Sequence, residues 1–207
     1  MSPGTFSRTV AVIGGCGHVG LPLALTFADQ GFQTVILDIN KAAVEMVRGG
    51  TMPFREDGAD EMLASVLKKN TLTVGTDPSL IADCKFLVMI VGTPVDEHLN
   101  PTFTAIHKAI DHIAPHLRDG QIMILRSTVY PGITEHIENY LKAKGRNIGV
   151  AFCPERVAQG FSLREFRELP QIISALNEET LDEVRELFRP FVPEMVEMAP
   201  MEAELTK

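Results

Sequence analysis

Apolar, strand-like runs that are each followed by an amphipathic stretch constrain the fold of this chain more than any other feature. The runs read TVAVIG (9–14), TVILD (34–38), TLTV (71–74), KFLVMIV (85–91), IMILRS (122–127), IGVAF (148–152) and QIIS (171–174). Between most of them the apolar spacing is helical, and in 102–118 it places Ile106, Ile110 and Ile113 on one face. Strands that are apolar throughout are typical of a mostly parallel sheet with helices on both faces. The sequence therefore predicts an α/β, doubly wound fold.

Composition and charge argue against several classes of function. The 207 residues are 45% hydrophobic and 22% charged, and the net charge of −8 disfavours nucleic acid or an anionic membrane surface as a partner. No apolar stretch approaches the ~18 residues of a transmembrane helix, and the N-terminus lacks the pattern of a signal peptide. Three scattered cysteines are too few for a disulfide framework, so we expect a cytoplasmic protein. His112 and His116 lack the glutamate of a zincin motif, so we expect no metal.

A glycine-rich loop follows the first strand and opens the first helix. In VIGGCGHVGLPLA, the residues Gly15, Gly17 and Gly20 form G-x-G-x-x-G, which allows a tight turn, close approach of a pyrophosphate and close helix–strand packing. The helix N-terminus then faces the phosphates. Asp38 ends the second strand about 20 residues on, where an acid holds the ribose hydroxyls and repels a 2′-phosphate. The loop predicts a Rossmann-type domain that binds NAD rather than NADP.

Three further strand ends carry polar residues. They are VGTPVD (91–96), RSTVYPG (126–132) and FCPERVAQG (152–160). Thr93 and Thr128 are candidates to bind the cofactor or a water beside it, although a threonine there also caps turns. Glu155 and Arg156 form a charged pair directly after a strand. Cys153 has no neighbouring histidine or lysine in the sequence to lower its pKa, so a buried structural cysteine is expected rather than a nucleophile.

A rival pattern points to a different dehydrogenase class. Ser127, Tyr140 and Lys144 have the spacing of the catalytic trio of short-chain dehydrogenases, in which the tyrosine acts as acid and base. The glycine loop opposes this alternative, because no register of GGCGHVG fits the nucleotide turn of that class. A non-catalytic, NAD-binding regulatory module is a third alternative.

Taken together, the motifs resemble those of the UDP-sugar dehydrogenases, the UDP-glucose/GDP-mannose dehydrogenase family. The matching stretches occur in order and span essentially the whole chain: VIGGCGHVGLPLA, LDIN, PFREDGADEML, VGTPVD, RSTVYPGIT, CPERVAQG and AELTK. These enzymes oxidise a nucleotide-linked sugar alcohol to the uronate with two NAD. The PER sequence at 154–156 resembles the branch that acts on UDP-N-acetyl-hexosamines, especially UDP-N-acetylmannosamine. The extra Gly14, and Gln159 where many relatives have glutamate, depart from the family pattern.

The resemblance implies roles for individual residues. NAD would contact Gly15, Gly17, His18, Val19, Gly20, Asp38, Thr93 and Thr128. Thr128 would also position a water, Glu155 would act as base or water activator in hydrolysis, and Lys207 would stabilise negative charge on the sugar oxygen. The UDP-sugar would contact Glu155, Arg156, Val157 and Lys207.

The resemblance also implies a domain organisation. In this family the nucleophilic cysteine lies in a second nucleotide-binding domain, which a long helix joins to the first. Residues 1–200 would then be the NAD-binding domain, and residues 201–207, MEAELTK, would begin the connecting helix to a missing UDP-sugar-binding region. The chain alone would be inactive, and the full-length protein would be a homo-oligomer, a dimer formed through the missing helical region.

Overall fold

The structure, a computed structural model, describes Phe6, residues 8–92 and residues 104–206; for residues 8 and 9 only the backbone is described. Its strands are β1 (Arg8–Ile13), β2 (Thr34–Leu37), β3 (Leu72–Gly75), β4 (Cys84–Met89), β5 (Ile122–Leu125), β6 (Gly149–Phe152), β7 (Gln171–Ala175) and β8 (Met195–Glu197). They form one sheet in the order β3-β2-β1-β4-β5-β6-β7-β8. All neighbouring strands are parallel except β6 and β7. The predicted mostly parallel, doubly wound sheet is confirmed.

Helices cover both faces of the sheet. They are α1 (Gly20–Asp29), α2 (Lys41–Arg48), α3 (Ala59–Lys68), α4 (Thr104–Ile113), α5 (Ile133–Ala143), α6 (Ser162–Glu168), α7 (Glu178–Phe188) and α8 (Pro200–Leu205). Short 3-10 turns occupy Pro78–Asp83 and Ala114–His116. Within the described residues, none of these helices combines the length and the apolar character that crossing a bilayer requires.

Two core layers lie on the two faces. One packs α1, α2, α3, α6 and α7 against the sheet, and the other packs α4, α5 and α8 against the opposite face. Consecutive residues of a strand alternate between the layers: Ile122 and Ile124 of β5 join the first, while Met123 and Leu125 join the second. Burial on both faces explains why the strands read as apolar without alternation.

The structure corrects two details of the sequence prediction. The segment 189–200, which holds three prolines and is absent from the predicted apolar runs, contains β8, which pairs parallel with β7. The helix expected over 102–118 is α4, which ends at Ile113 before a 3-10 turn that contains Pro115. The final helix begins at Pro200, in agreement with the expected start near Met201.

A buried glutamine joins the amino ends of two neighbouring strands. Gln121 is fully buried just before β5, and its amide nitrogen donates to the carbonyl oxygens of Ile81 (3.0 Å) and Cys84 (2.7 Å). Its side-chain oxygen accepts from the Arg118 backbone N–H (2.8 Å). Three backbone groups therefore depend on one side chain, and two of them lie 37 and 40 residues away from it in sequence.

Replacing this side chain should destabilise the fold. We expect Gln121→Leu to lower the free energy of unfolding by about 2–4 kcal/mol, because it leaves backbone groups without their partner in the interior. Gln33→Leu, the same change at an exposed position before β2, should stay within about 0.5 kcal/mol of the wild type. Urea denaturation followed by circular dichroism measures both, and equal stabilities of the two variants would contradict the assignment.

Candidate functional site

The glycine loop is constrained by the backbone around it. Gly14 has φ +76°, and a Cβ there would lie 2.1 Å from the Ile90 carbonyl oxygen. A Cβ at Gly15 would lie 2.7 Å from the Val12 carbonyl oxygen, and one at Gly20 would lie 2.6 Å from that of Gly14. Gly14, a departure from the family pattern in the sequence, is therefore required because the loop passes directly over the turn that follows β4.

Gly17 differs from the other loop glycines because no protein atom crowds it. A Cβ there would meet only the Gly14 carbonyl oxygen, at an ordinary 3.8 Å. Gly17 and His18 are exposed, and Val19, the N-cap residue of α1, supplies no side-chain hydrogen bond to the helix. The arrangement suits an anion that approaches the loop from outside and is bound by the backbone amides at the helix N-terminus.

Asp38 lies beside the glycine loop, at the end of β2. Its carboxylate accepts hydrogen bonds from the backbone N–H of Cys16 (2.8 Å) and of Asn40 (2.9 Å). These bonds orient the side chain from two directions and leave lone pairs for further donors, since a carboxylate accepts about four hydrogen bonds. The geometry suits an acceptor for two neighbouring ribose hydroxyls.

A cleft of about 420 Å³ opens next to Asp38, where the strand order reverses between β1 and β4. Its lining includes Asp38 and Ile39 after β2, Ile90 and Gly92 after β4, and Lys108 and His112 of α4. Ile39 is 87% exposed. An apolar cleft of this size suits an aromatic base. The sequence analysis did not assign Lys108 and His112, on the polar side of α4, to the cofactor cleft. The available signal was that α4 is the helix that follows β4 in the chain.

A buried ion pair supports the neighbouring strand ends. Arg126, directly after β5, is fully buried and pairs with Glu155, in the loop after β6. Its guanidinium also donates to the Gln171 side-chain oxygen (3.1 Å) and lies 5.3 Å from the ring centre of Phe188. Sequence reasoning gave Arg126 no role, because its partner is 29 residues away in the chain.

Protein groups hold both carboxylate oxygens of Glu155. One carboxylate oxygen accepts from Arg126, and the other accepts from the backbone N–H of Arg156 (2.8 Å) and of Val157 (3.0 Å). The charged pair expected between Glu155 and Arg156 is wrong in its partner, since the Arg156 guanidinium donates to the Pro170 carbonyl. The Arg156 side chain is exposed. Glu155 thus shapes the 155–157 backbone, and its catalytic role stays a prediction.

The segment 52–58 bridges the glycine loop and the loop after β6. Phe54 stacks on His18 with ring centres 4.1 Å apart. Glu56, only 3% exposed, accepts from the backbone N–H of Gly160 (2.9 Å) and of Leu163 (3.2 Å) at the start of α6. The glycine loop and the loop after β6 are therefore connected by a segment that is distant from both in sequence.

None of the three cysteines has the properties of a nucleophile. Cys16, Cys84 and Cys153 are all buried, and Cys84 begins β4 at the opposite edge of the sheet. Burial, followed by the nearby Asp38 carboxylate, raises the pKa of the Cys16 thiol to about 12. Burial also raises the pKa of Cys153 to about 12, although Arg126 acts in the opposite direction. Cys153 is thus buried, as predicted, and it lacks thiolate character at neutral pH.

The trio of the short-chain alternative is not assembled. The Tyr140 hydroxyl donates to Asp111 of α4 (2.7 Å), and the Lys144 ammonium lies 2.7 Å from the same carboxylate. The hydrogen bond from Lys144 to Asp111 raises the pKa of Lys144. The Ser127 hydroxyl instead donates to the Val91 carbonyl (2.7 Å). Tyr140 and Lys144 join two outer helices and do not join Ser127 at the strand ends.

The remaining predicted residues lie in different positions. Thr128 is exposed in the loop after β5, at the same edge as the glycine loop. Thr93 and Lys207 lie outside the described residues. Over the ranges 8–92 and 104–206, no three histidine, cysteine or acidic side chains are grouped as a metal site requires.

Known proteins are similar to this chain in sequence and in fold. A sequence model of the UDP-glucose/GDP-mannose dehydrogenase family, NAD binding domain, matches residues 8–192. The UDP-N-acetyl-D-mannosamine dehydrogenase of Methanococcus aeolicus is 31% identical over 86% of this chain and 41% of its own length. The NDP-N-acetyl-D-galactosaminuronic acid dehydrogenase of Ralstonia nicotianae is 32% identical over 89% of this chain and 46% of its own length.

The fold similarity is equally extensive. The structure of the UDP-D-ManNAc dehydrogenase of Pyrococcus horikoshii superimposes with a TM-score of 0.90 at 28% identity, over 96% of this chain and 49% of that one. The chain spans about half the length of the relatives it matches. The sequence match over residues 8–192, together with the glycine loop and the cleft beside Asp38, establishes that the chain belongs to the UDP-glucose/GDP-mannose dehydrogenase family, as its NAD-binding domain.

Proposed function

We propose that this domain serves an NAD-dependent enzyme that oxidises the primary alcohol of a UDP-N-acetyl-hexosamine, UDP-N-acetylmannosamine, to the uronate. One observation carries the proposal. The glycine loop, the cleft beside Asp38, the loop after β5 that contains Thr128 (126–132, the Thr128 loop) and the 155–157 segment all lie along one edge of the sheet. The names of the relatives from Methanococcus and Ralstonia support an N-acetylated sugar. We infer a cytoplasmic, dimeric enzyme, without nucleic acid or membrane as a partner.

The cofactor half of the site is assigned to residues of this chain. Backbone amides at Gly15, Gly17, His18, Val19 and Gly20 would bind the pyrophosphate, and Asp38 would accept from the ribose hydroxyls. NAD, when bound, accepts one hydride, so each of the two oxidation steps uses its own NAD molecule. The cleft between β2 and α4 would hold the adenine, which directs the nicotinamide end towards the loops after β4, β5 and β6. Thr93 and Thr128 would contact that end.

The substrate half of the site is assigned to the loop after β6 and to Lys207. Arg156 and Val157 would contact the UDP-sugar, with Glu155 holding their backbone. The alcohol loses two hydrides and its hydroxyl proton, and one water supplies the second carboxylate oxygen and releases two protons. Thr128 would position that water, Glu155 would activate it, and Lys207 would stabilise the negative charge on the sugar oxygen. Residues 1–200 would form the cofactor domain and 201–207 the start of a connecting helix.

The cofactor assignment predicts selectivity. We expect the chain to bind NAD at least about tenfold more tightly than NADP, because the Asp38 carboxylate repels a 2′-phosphate. Asp38→Asn should weaken NAD binding and reduce the preference to within about threefold. Calorimetric titration with both cofactors measures these constants.

A second aspartate provides the matched control. Asp77 accepts from the Ser79 backbone N–H at 2.9 Å, just as Asp38 accepts from that of Asn40, but it does not line the cleft. Asp77→Asn should leave both affinities unchanged. Wild-type binding of NADP as tight as that of NAD would refute the role of Asp38.

The substrate assignment predicts a preference within the enzyme that contains this domain. We expect kcat/KM for UDP-N-acetylmannosamine to exceed that for UDP-glucose by at least about tenfold. Arg156→Ala should lower the former by about 10–100-fold, because a guanidinium supplies several charged donors to sugar or phosphate oxygens. Arg164→Ala is the control, since Arg164 is exposed and faces Glu168 on α6. A clear preference for UDP-glucose would contradict the proposal.

The buried thiols predict that residues 1–207 alone do not sustain oxidation. Holding the aldehyde between two hydride transfers calls for a reactive thiolate, which none of the three cysteines provides. NADH absorbance with UDP-N-acetylmannosamine, UDP-N-acetylglucosamine and UDP-glucose should stay at the level without sugar. Sustained turnover that is lost in Cys153→Ala would make Cys153 the nucleophile. Turnover lost in Tyr140→Phe would instead restore the short-chain alternative.

A further inference from the structure

Two helices of equal length receive their N-terminal caps in different ways. Both α5 and α7 have 11 residues. The N-cap residue of α7, Asn177, accepts locally from the Thr180 backbone N–H at 2.9 Å. The N-cap residue of α5, Gly132, has no side chain, and the acceptor comes from Glu204 of α8, 72 residues later in the chain. A local cap suffices for helix stability, so the long-range cap of α5 calls for another explanation.

Glu204 is a buried carboxylate that accepts hydrogen bonds from residues at the start of α5. It is 2% exposed, and it accepts from the backbone N–H of Gly132 and of Thr134 (2.8 Å) and from the Thr134 hydroxyl. Burying a charge is costly unless hydrogen bonds compensate for it, and amides at a helix N-terminus are well suited to do so. The same bonds fix the position of the backbone that leads into α5.

That backbone is the end of the Thr128 loop. The loop begins at Arg126, which is held by Glu155 and Gln171, and it ends at Gly132, which is held by Glu204. Thr128 lies exposed between these two anchors. The first anchor belongs to the sheet, whereas the second belongs to α8, so the position of Thr128 depends on how α8 is seated.

We propose that Glu204 is a positioning residue for cofactor binding: it holds the Thr128 loop in the geometry that contacts NAD. The inference rests on the proposed function, which assigns Thr128 to the cofactor. Glu204 bonds to the end of the loop and would act on Thr128 through the loop backbone. Because Glu204 and Thr128 act through one backbone segment, their contributions to NAD affinity should not be independent.

A double-mutant cycle on the 207-residue chain tests this coupling. Glu204→Gln keeps the shape but turns an amide N–H₂ towards backbone donors, and it should weaken NAD binding about fivefold. Thr128→Ala should have a similar effect, and the double variant should bind NAD no more weakly than the weaker single variant. An unchanged affinity in Glu204→Gln, or a double variant weakened by the product of the two effects, about 25-fold, would overturn the proposal.

Two further variants separate positioning from stability. Asn177→Ala removes the cap of α7 at the opposite edge of the sheet; it should lower the melting temperature without changing NAD affinity. If Asn177→Ala lost as much NAD affinity as Glu204→Gln, the effect of Glu204 would be one of overall stability, and the proposal would be wrong. If Glu204→Gln does not fold, Thr134→Val removes one of the three bonds and should weaken NAD binding about twofold, again without additivity with Thr128→Ala. Unchanged binding in Thr134→Val would then decide against the proposal.

Hydrogen exchange gives a readout that does not require the cofactor. Backbone amides of residues 128–134 should exchange about tenfold or more faster in Glu204→Gln than in the wild type, and at the wild-type rate in Asn177→Ala. Equal exchange in all three proteins would overturn the inference. If the wild type fails to bind NAD while exchange behaves as expected, the proposed function fails and the positioning of the loop by Glu204 stands.

Discussion

Burial of both faces of the parallel sheet determines where the loops of this protein meet. Six parallel strands, β1 to β6, lie between two apolar layers, and each parallel neighbour is reached by a crossover on one face or the other. Every crossover starts from the same edge of the sheet. The glycine loop and the turns after β2, β4, β5 and β6 therefore meet at that edge, although they are spread over most of the chain.

Buried carboxylates then hold the loops in place at this edge. Glu155 pairs with Arg126, Glu56 accepts from amides at the start of α6, and Glu204 accepts from amides at the start of α5. An unpaired charge in these positions would cost several kcal/mol, so each acid and its partners stay together or the local structure is lost. Loops that are commonly mobile are thus restrained by segments distant in sequence, and the proposed contacts with the nicotinamide and the sugar rely on that restraint.

Sequence reasoning succeeded where the signal is local. The apolar runs predicted seven strands within one or two residues at their ends, and the glycine loop predicted a strand–turn–helix unit with Asp38 nearby. It missed β8, because the prolines of 189–200 are typical of a connection, and β8 is an edge strand of only three residues. It treated Gly14 as a departure from the family pattern, since the Ile90 carbonyl that excludes a side chain comes from another strand.

The parallel α/β architecture, the nucleotide loop and the resemblance to a family could be read from the amino-acid sequence, because they follow from the periodicity of side chains and from the steric freedom of glycine in a tight turn. Which side chains meet is set by the packing of the folded chain. Glu155 pairs with Arg126 rather than Arg156, and Tyr140 turns to Asp111 rather than to Ser127. Pairings of this kind join residues about 30 to 70 positions apart, and they depend on how helices pack across the sheet, which no local pattern of residues specifies.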